Sequence, residues 1–196
     1  MATPHLHPFS WERMIQAVEL VRERALRTAR ALEGAEIPYA MVGGIAVAAW
    51  VARVAPAAVR TTNDVDVLLR REDMDRAKVA MKAAGFIYQH VNGMVVFIDG
   101  PGGTVRAAVK VVMANEKVRE DDEAPAPDVS ECERFEDYVV LNRDALVRME
   151  LTRYRIESRM LLRDMIDVDL VNALWCQRLP AELAGRLQQL LDTPDG

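Results

Sequence analysis

Two cysteines in 196 residues, Cys132 and Cys176, are too few and too far apart for a disulfide framework. Lone thiols fit a reducing compartment, and residues 1–5 lack the basic and apolar pattern of a secretory leader. Both observations point to a cytoplasmic address. No run of about 18 apolar residues is free of charge, so no membrane-spanning helix is expected. The longest such stretch, 37–51, is broken by Pro38, Gly43 and Gly44. Histidine is as scarce: His5 and His7 lie near the start, and His90 has no partner nearby in sequence, so a histidine metal site is not expected.

What is present is a composition that can build a core. Apolar residues make up 51% and charged residues 28%, which excludes collagen-like, mucin-like and wholly disordered chains. The net charge of −5 is unevenly spread, because residues 115–137 hold ten acids against three bases. The acidity therefore belongs to one segment. It leaves room for a nucleotide or nucleic-acid partner elsewhere, and it makes the segment itself a surface for a protein partner.

Hydrophobic periodicity predicts a helix over 9–33, with a stripe at Met14, Val18, Val21, Ala25, Ala29 and Leu32. Ser10 is its N-cap and Gly34 its stop. A buried strand over 38–42 ends in Gly43-Gly44 and is followed by a helix over 45–54. Strands are expected at 64–69, 86–90, 94–98 and 105–113, a helix at 73–84, and a hairpin at Asn92-Gly93. Residues 120–128 read as a solvated loop and 135–141 as a last short strand. Helices follow from 143, including one over 160–174 and one over 181–191. Strands joined by hairpins preclude a purely parallel sheet. The expected fold is α+β: a small mixed sheet flanked by helices, with a helical C-terminal part. Its parts would be an N-terminal helix (1–35) packed on an α/β core (36–141), and a helical region (142–196).

Three features carry chemistry. Gly43-Gly44 lies between a strand and a helix, where backbone N–H groups can approach an anion. Asp64 and Asp66 share one face of a strand, and two neighbouring carboxylates repel unless a cation lies between them. Arg60 and Thr62 immediately precede them, in a loop suited to phosphate.

Together, Val42-Gly43-Gly44-Ile45-Ala46 and Arg60-Thr61-Thr62-Asn63-Asp64-Val65-Asp66-Val67-Leu68-Leu69 resemble the nucleotidyltransferase superfamily typified by DNA polymerase β. The closer resemblance is to its AbiEii-like group, and it extends through Leu146-Val147-Arg148-Met149 and 162–167. It implies that Asp64 and Asp66 bind Mg²⁺, that Gly43, Gly44 and Thr62 hold an NTP, and that Arg60 and Lys110 assist. It implies an activity as well: transfer of a nucleoside monophosphate to a hydroxyl, with RNA, tRNA ends in particular, as the acceptor of a toxin–antitoxin-like system.

Two positions depart from the family pattern. The strand that should carry a third carboxylate has Lys110 there, with Asp99 and Glu116 as substitutes by position only. Glu150 stands where close relatives usually carry Lys. These departures support a second reading, a catalytically inactive nucleotidyltransferase-like binding or regulatory module. Arginines 148, 153, 155, 159 and 163 would suit an RNA backbone or, paired with Glu150 and Glu157, a solvated helix face.

Overall fold

The computed structural model describes residues 10–193; His5 and His7 fall outside the described residues. In chain order the elements are α1 (Trp11–Gly34), β1 (Tyr39–Val42), α2 (Gly43–Ala52), β2 (Val65–Leu69) and α3 (Met74–Ala83). Then come β3 (Phe86–Val91), β4 (Met94–Asp99), β5 (Val109–Met113), β6 (Cys132–Arg134) and β7 (Val139–Leu141). Three helices finish the chain: α4 (Arg143–Arg153), α5 (Ile156–Asp167) and α6 (Ala181–Asp192). The strands form one mixed sheet in the order β3-β4-β5-β2-β1-β7-β6. β1 runs antiparallel to β2 and parallel to β7, and β2 runs parallel to β5. The fold is the expected α+β class.

Local chemistry accounts for most element ends. The Ser10 hydroxyl accepts from the Arg13 amide at 3.3 Å and starts α1. Asn92 and Gly93 have φ of 50° and 79°, as a two-residue hairpin turn between right-twisted strands requires. β1 reads Tyr-Ala-Met-Val and is buried throughout, as a central strand covered on both faces must be.

The core is continuous from Val21 on α1 to Leu190 on α6. Fully burying a side chain such as Leu68, Leu141 or Leu146 contributes roughly 1.5–3 kcal/mol. Trp50 ties α2 to the sheet: its indole N–H donates to the Leu141 carbonyl at 3.1 Å, and its ring meets Phe135 edge-on. No helix among the described residues is long and apolar enough to cross a membrane.

Several expectations are corrected. The stripe of α1 packs only in its second half, from Val21 on; Met14 and Val18 stay 51% and 45% exposed. The strand expected over 105–113 begins at Val109, since the chain leaves the 100–103 turn crowded beneath Asp99 and makes a 3₁₀ turn first. Of the strand expected over 135–141 only Val139–Leu141 forms; residues 135–138 are the turn that joins it to β6, a short antiparallel strand not expected from the sequence. The helix over 160–174 ends at Asp167: Asp169 adopts a left-handed conformation, and Asn172 caps a separate 3₁₀ turn.

The acidic segment is not a loosely solvated loop. Glu116 pairs with Arg71, Asp122 with Arg155, Glu123 with Arg186, Asp128 with Arg70, Glu131 with Arg148 and Glu133 with Arg53. It is strapped across the molecule by the chain's own arginines. Asp128 is the best-held of these acids. It takes both arms of the Arg70 fork, at 2.7 and 3.0 Å, together with the Ser130 amide and the Asn115 side chain.

These bonds hold the Asp128 carboxyl well below the usual carboxylate range, Arg70 contributing most. A carboxylate depressed in the folded state adds stability that is complete above its unfolded pKa of about 4 and is lost progressively as pH falls from that value toward the depressed folded one. Asp128→Asn is therefore expected to lower the melting temperature at pH 7. The gap to the parent protein should narrow steadily as pH is lowered below about 4 in a pH series of thermal unfolding curves.

Candidate active site

The antiparallel register of β1 and β2 sets Val42 opposite Asp66. The next residue, Gly43, opens α2 at φ 59°, a conformation that favours glycine. A β-carbon on Gly43 would lie 2.5 Å from the Asp66 Oδ2, so the helix start can sit over the carboxylate only without a side chain. Gly44 is as crowded: its β-carbon would lie 2.9 Å from the Thr62 Cβ. The two glycines therefore serve close approach, one to the acid strand and one to the loop before it.

β5 completes the face. Lys110 is level with Asp66 in the parallel register, and its ammonium is hydrogen-bonded to the Asp64 carboxylate. The Thr62 hydroxyl donates to the other Asp64 oxygen at 3.0 Å. Asp64 is thus fully engaged. Asp66 accepts no hydrogen bond from any described residue, and its pKa is pushed up to about 7. Burial is the main cause, the neighbouring Asp64 charge adds to it, and Lys110 and Arg153 pull the other way.

A cavity of about 680 Å³ opens above these groups. All seven residues singled out in the sequence line it: Gly43, Gly44, Arg60, Thr62, Asp64, Asp66 and Lys110. Arg60 is bound to Asp164 of α5 at 2.7 Å, which fixes the loop to the helix and uses part of its fork. The two substitute carboxylates lie outside the cavity lining. Asp99 is held by Arg24 and Arg27 of α1, and Glu116 by Arg71. Among the described residues no group of three His, Cys, Asp or Glu side chains is arranged to hold a metal ion. The two aspartates alone suit a single hard cation that keeps water and substrate oxygens as its remaining ligands.

Sequence reasoning marked Glu150 as a departure from the family pattern but did not foresee the opposite wall to which it belongs, where α4 and α5 meet. Glu150 is buried, and burial drives its pKa up against the pull of Arg153 and the Ser158 hydroxyl. Arg153, Arg155, Glu157 and Ser158 line the same wall. One signal was readable: two charged residues three apart on an otherwise apolar helix turn. Arg106 and Arg119 lie at the cavity too, with no partner for either guanidinium among the described residues. The Cys132 thiol is pushed up by burial first and by Asp128 second, so neighbouring acids are the lesser reason it is unsuited to act as a nucleophile.

No protein-family model matches the chain, and no curated protein matches it in sequence. Solved structures do match it. An antigenic nucleotidyltransferase-like protein from Paracoccidioides brasiliensis superposes with a TM-score of 0.58 at 17% identity, over 91% of each chain. The antibiotic-resistance factor ANT(2'')-Ia superposes in its solution structure with a TM-score of 0.51 at 15% identity, over 92% of this chain and 93% of that one. Its crystal structure in complex with adenylyl-2''-tobramycin gives 0.51 at 14% identity, over 87% and 98%. The fold is that of the nucleotidyltransferases. At these identities the likeness speaks for the fold alone.

Gly43→Ala is expected to destabilise the protein by about 1–3 kcal/mol, from the left-handed backbone and the collision with Asp66. Denaturant unfolding measures the loss. Gly34→Ala, whose β-carbon would meet nothing within 4 Å, is the control and should leave the midpoint nearly unchanged.

Proposed function

We propose that the chain is a nucleotidyltransferase, moving a nucleoside monophosphate from an NTP to a hydroxyl acceptor with Mg²⁺ as cofactor. The observation that carries this reading is the unsatisfied Asp66 carboxylate. It sits beside Asp64 at the floor of a cavity, under a glycine turn that only close approach explains. A pair of carboxylates kept at the expense of its own ionisation is best accounted for by a cation that arrives with substrate.

The side chains divide the work. Asp64 and Asp66 would hold the metal, which when bound supplies Lewis-acid stabilisation of charge on the phosphoryl oxygens. The backbone at Gly43-Gly44 lies against the phosphates at the start of α2, and Thr62 orients Asp64. Lys110 sets an ammonium beside the carboxylates, where it offsets charge on the departing pyrophosphate. Arg60, anchored by Asp164, stiffens the loop that presents these groups and offers its remaining donors to the nucleotide.

For the acceptor, the AbiEii-like resemblance suggests RNA, whereas the solved complex suggests a small cationic sugar. Arg106 and Arg119, unpaired at the cavity, favour the polyanion. RNA is thus the proposed acceptor, in a cytoplasmic, toxin–antitoxin-like setting. The protein-partner role of 115–137 is the weaker part of this reading, because most of its acids already have internal partners.

One observation favours an inactive, nucleotide-sensing module instead: Lys110 occupies the strand position of a third carboxylate and is bound to Asp64. Thermal unfolding with each NTP, with and without Mg²⁺, separates binding from its absence, and radiolabel transfer to RNA separates catalysis from sensing. At about 100 times its dissociation constant a ligand adds about 2.7 kcal/mol to stability. Asp66→Asn is expected to abolish the Mg²⁺-dependent part of that gain. Without ligand it should melt higher than the parent at pH 8, because the amide is spared the ionisation the folded carboxylate resists.

A further inference from the structure

Arg153 ends α4 and lines the cavity wall opposite the aspartates. Its guanidinium carries five N–H donors, yet it donates no hydrogen bond to any described residue, and its Nε is completely buried. The nearest carboxylate, Glu150 one turn earlier, is 3.9 Å from Nη1, within ion-pair range and too long for a hydrogen bond. Glu150 itself is 1% exposed, and its Oε1 has no hydrogen-bond partner.

Burying the Glu150 carboxylate and the Arg153 Nε side by side without closing the bond between them is costly, even with 27% of the arginine side chain exposed. The arrangement makes sense if Glu150 holds the arginine in place without consuming its donors. Arg153 acts electrostatically on both Asp66 and Lys110, so its charge is directed at the same space. Lys110, beside the aspartates, is committed to Asp64 and Arg155 is paired with Asp122, so on the α4–α5 wall Arg153 is the arginine with open donors, while Arg106 and Arg119 lie elsewhere on the cavity lining.

We propose that Arg153 is an anion-binding residue that receives the terminal phosphates of the nucleotide and the pyrophosphate formed from them, with Glu150 as its positioning residue. The identity of the anion rests on the nucleotidyl-transfer reading; the need for an anion rests on the missing acceptors alone. A guanidinium fork matches two phosphate oxygens at once, which suits a polyphosphate better than a single carboxylate.

The test is calorimetric titration of the full chain with inorganic tripolyphosphate, and with the tri- and monophosphates of each nucleoside. The proteins are the parent, Arg153→Gln, Arg153→Lys and Glu150→Gln, each checked by thermal unfolding. The parent is expected to bind tripolyphosphate and to prefer triphosphates to monophosphates. Arg153→Gln should weaken tripolyphosphate and NTP binding tenfold or more and leave monophosphate affinity within twofold. Glu150→Gln should weaken the triphosphate-to-monophosphate preference by a smaller factor, a ratio that mere loss of packing would not move.

A folded Arg153→Gln that binds tripolyphosphate as the parent does would overturn the inference, and so would a parent that binds none. If Arg153→Gln does not fold, Arg153→Lys decides. It keeps the charge and loses the fork, so a threefold or greater weakening supports the assignment and unchanged affinity refutes it. Tripolyphosphate binding through Arg153 in a protein that transfers no nucleotide would leave this subsite standing and remove only the transfer reading.

Discussion

A carboxylate oxygen fills the place that a side chain on residue 43 would need, and the site is arranged around that contact. It requires β1 and β2 to be antiparallel in one register, α2 to begin at once after Val42, and glycine at the turn. The result is a backbone pressed against an acid, the arrangement on which the proposed grip of a phosphate and a cation rests. The surrounding packing preserves this alignment. Trp50 pins α2 to β7, and Arg24, buried at the end of the sheet, reaches the Asn63 carbonyl just before the acids.

Charge is distributed around the cavity in an unusual order. The strand that a nucleotidyltransferase would use for another acid carries a lysine, and the helix expected to carry a cation carries a buried glutamate. Yet the cations and anions remain interleaved: Asp64 with Lys110, Glu150 with Arg153, Asp164 with Arg60. Of the two aspartates, Asp66 is the one that accepts no hydrogen bond from a described residue. The repulsion it feels from Asp64 is a local strain that a bound cation would relieve.

Much of this was legible in the sequence, for identifiable reasons. The Gly-Gly turn, the Asp-x-Asp strand and the Asn-Gly hairpin are short-range signals, each fixed by backbone geometry within a few residues. The glycines and aspartates of the first two line one cavity, together with Arg60 and Thr62 from the loop before the acids and with Lys110, to which the family resemblance pointed. What was not legible depends on partners far apart in the chain. The acidic stretch looked solvated because the arginines that strap it lie 17 to 80 residues away, from Arg148 to Arg53. Arg153 was one arginine in a basic helix until tertiary packing showed it without acceptors. Which half of the α1 stripe finds a partner depends on tertiary packing, which local periodicity does not encode.

The register of β2 also sorts the chain into parts that tolerate changes of length and parts that do not. Side chains on a strand alternate faces, so one residue inserted or removed between Asp64 and Leu69 would turn the acids away from the cavity and push core residues such as Val67 into it. The stretch over 53–61 is held to no strand, and its length can drift at little cost in loop entropy. Homologues of this chain should therefore differ in spacing between the glycine turn and the acid strand while keeping the strand itself constant in length. A search built on a fixed distance between the two motifs would pass over many of them.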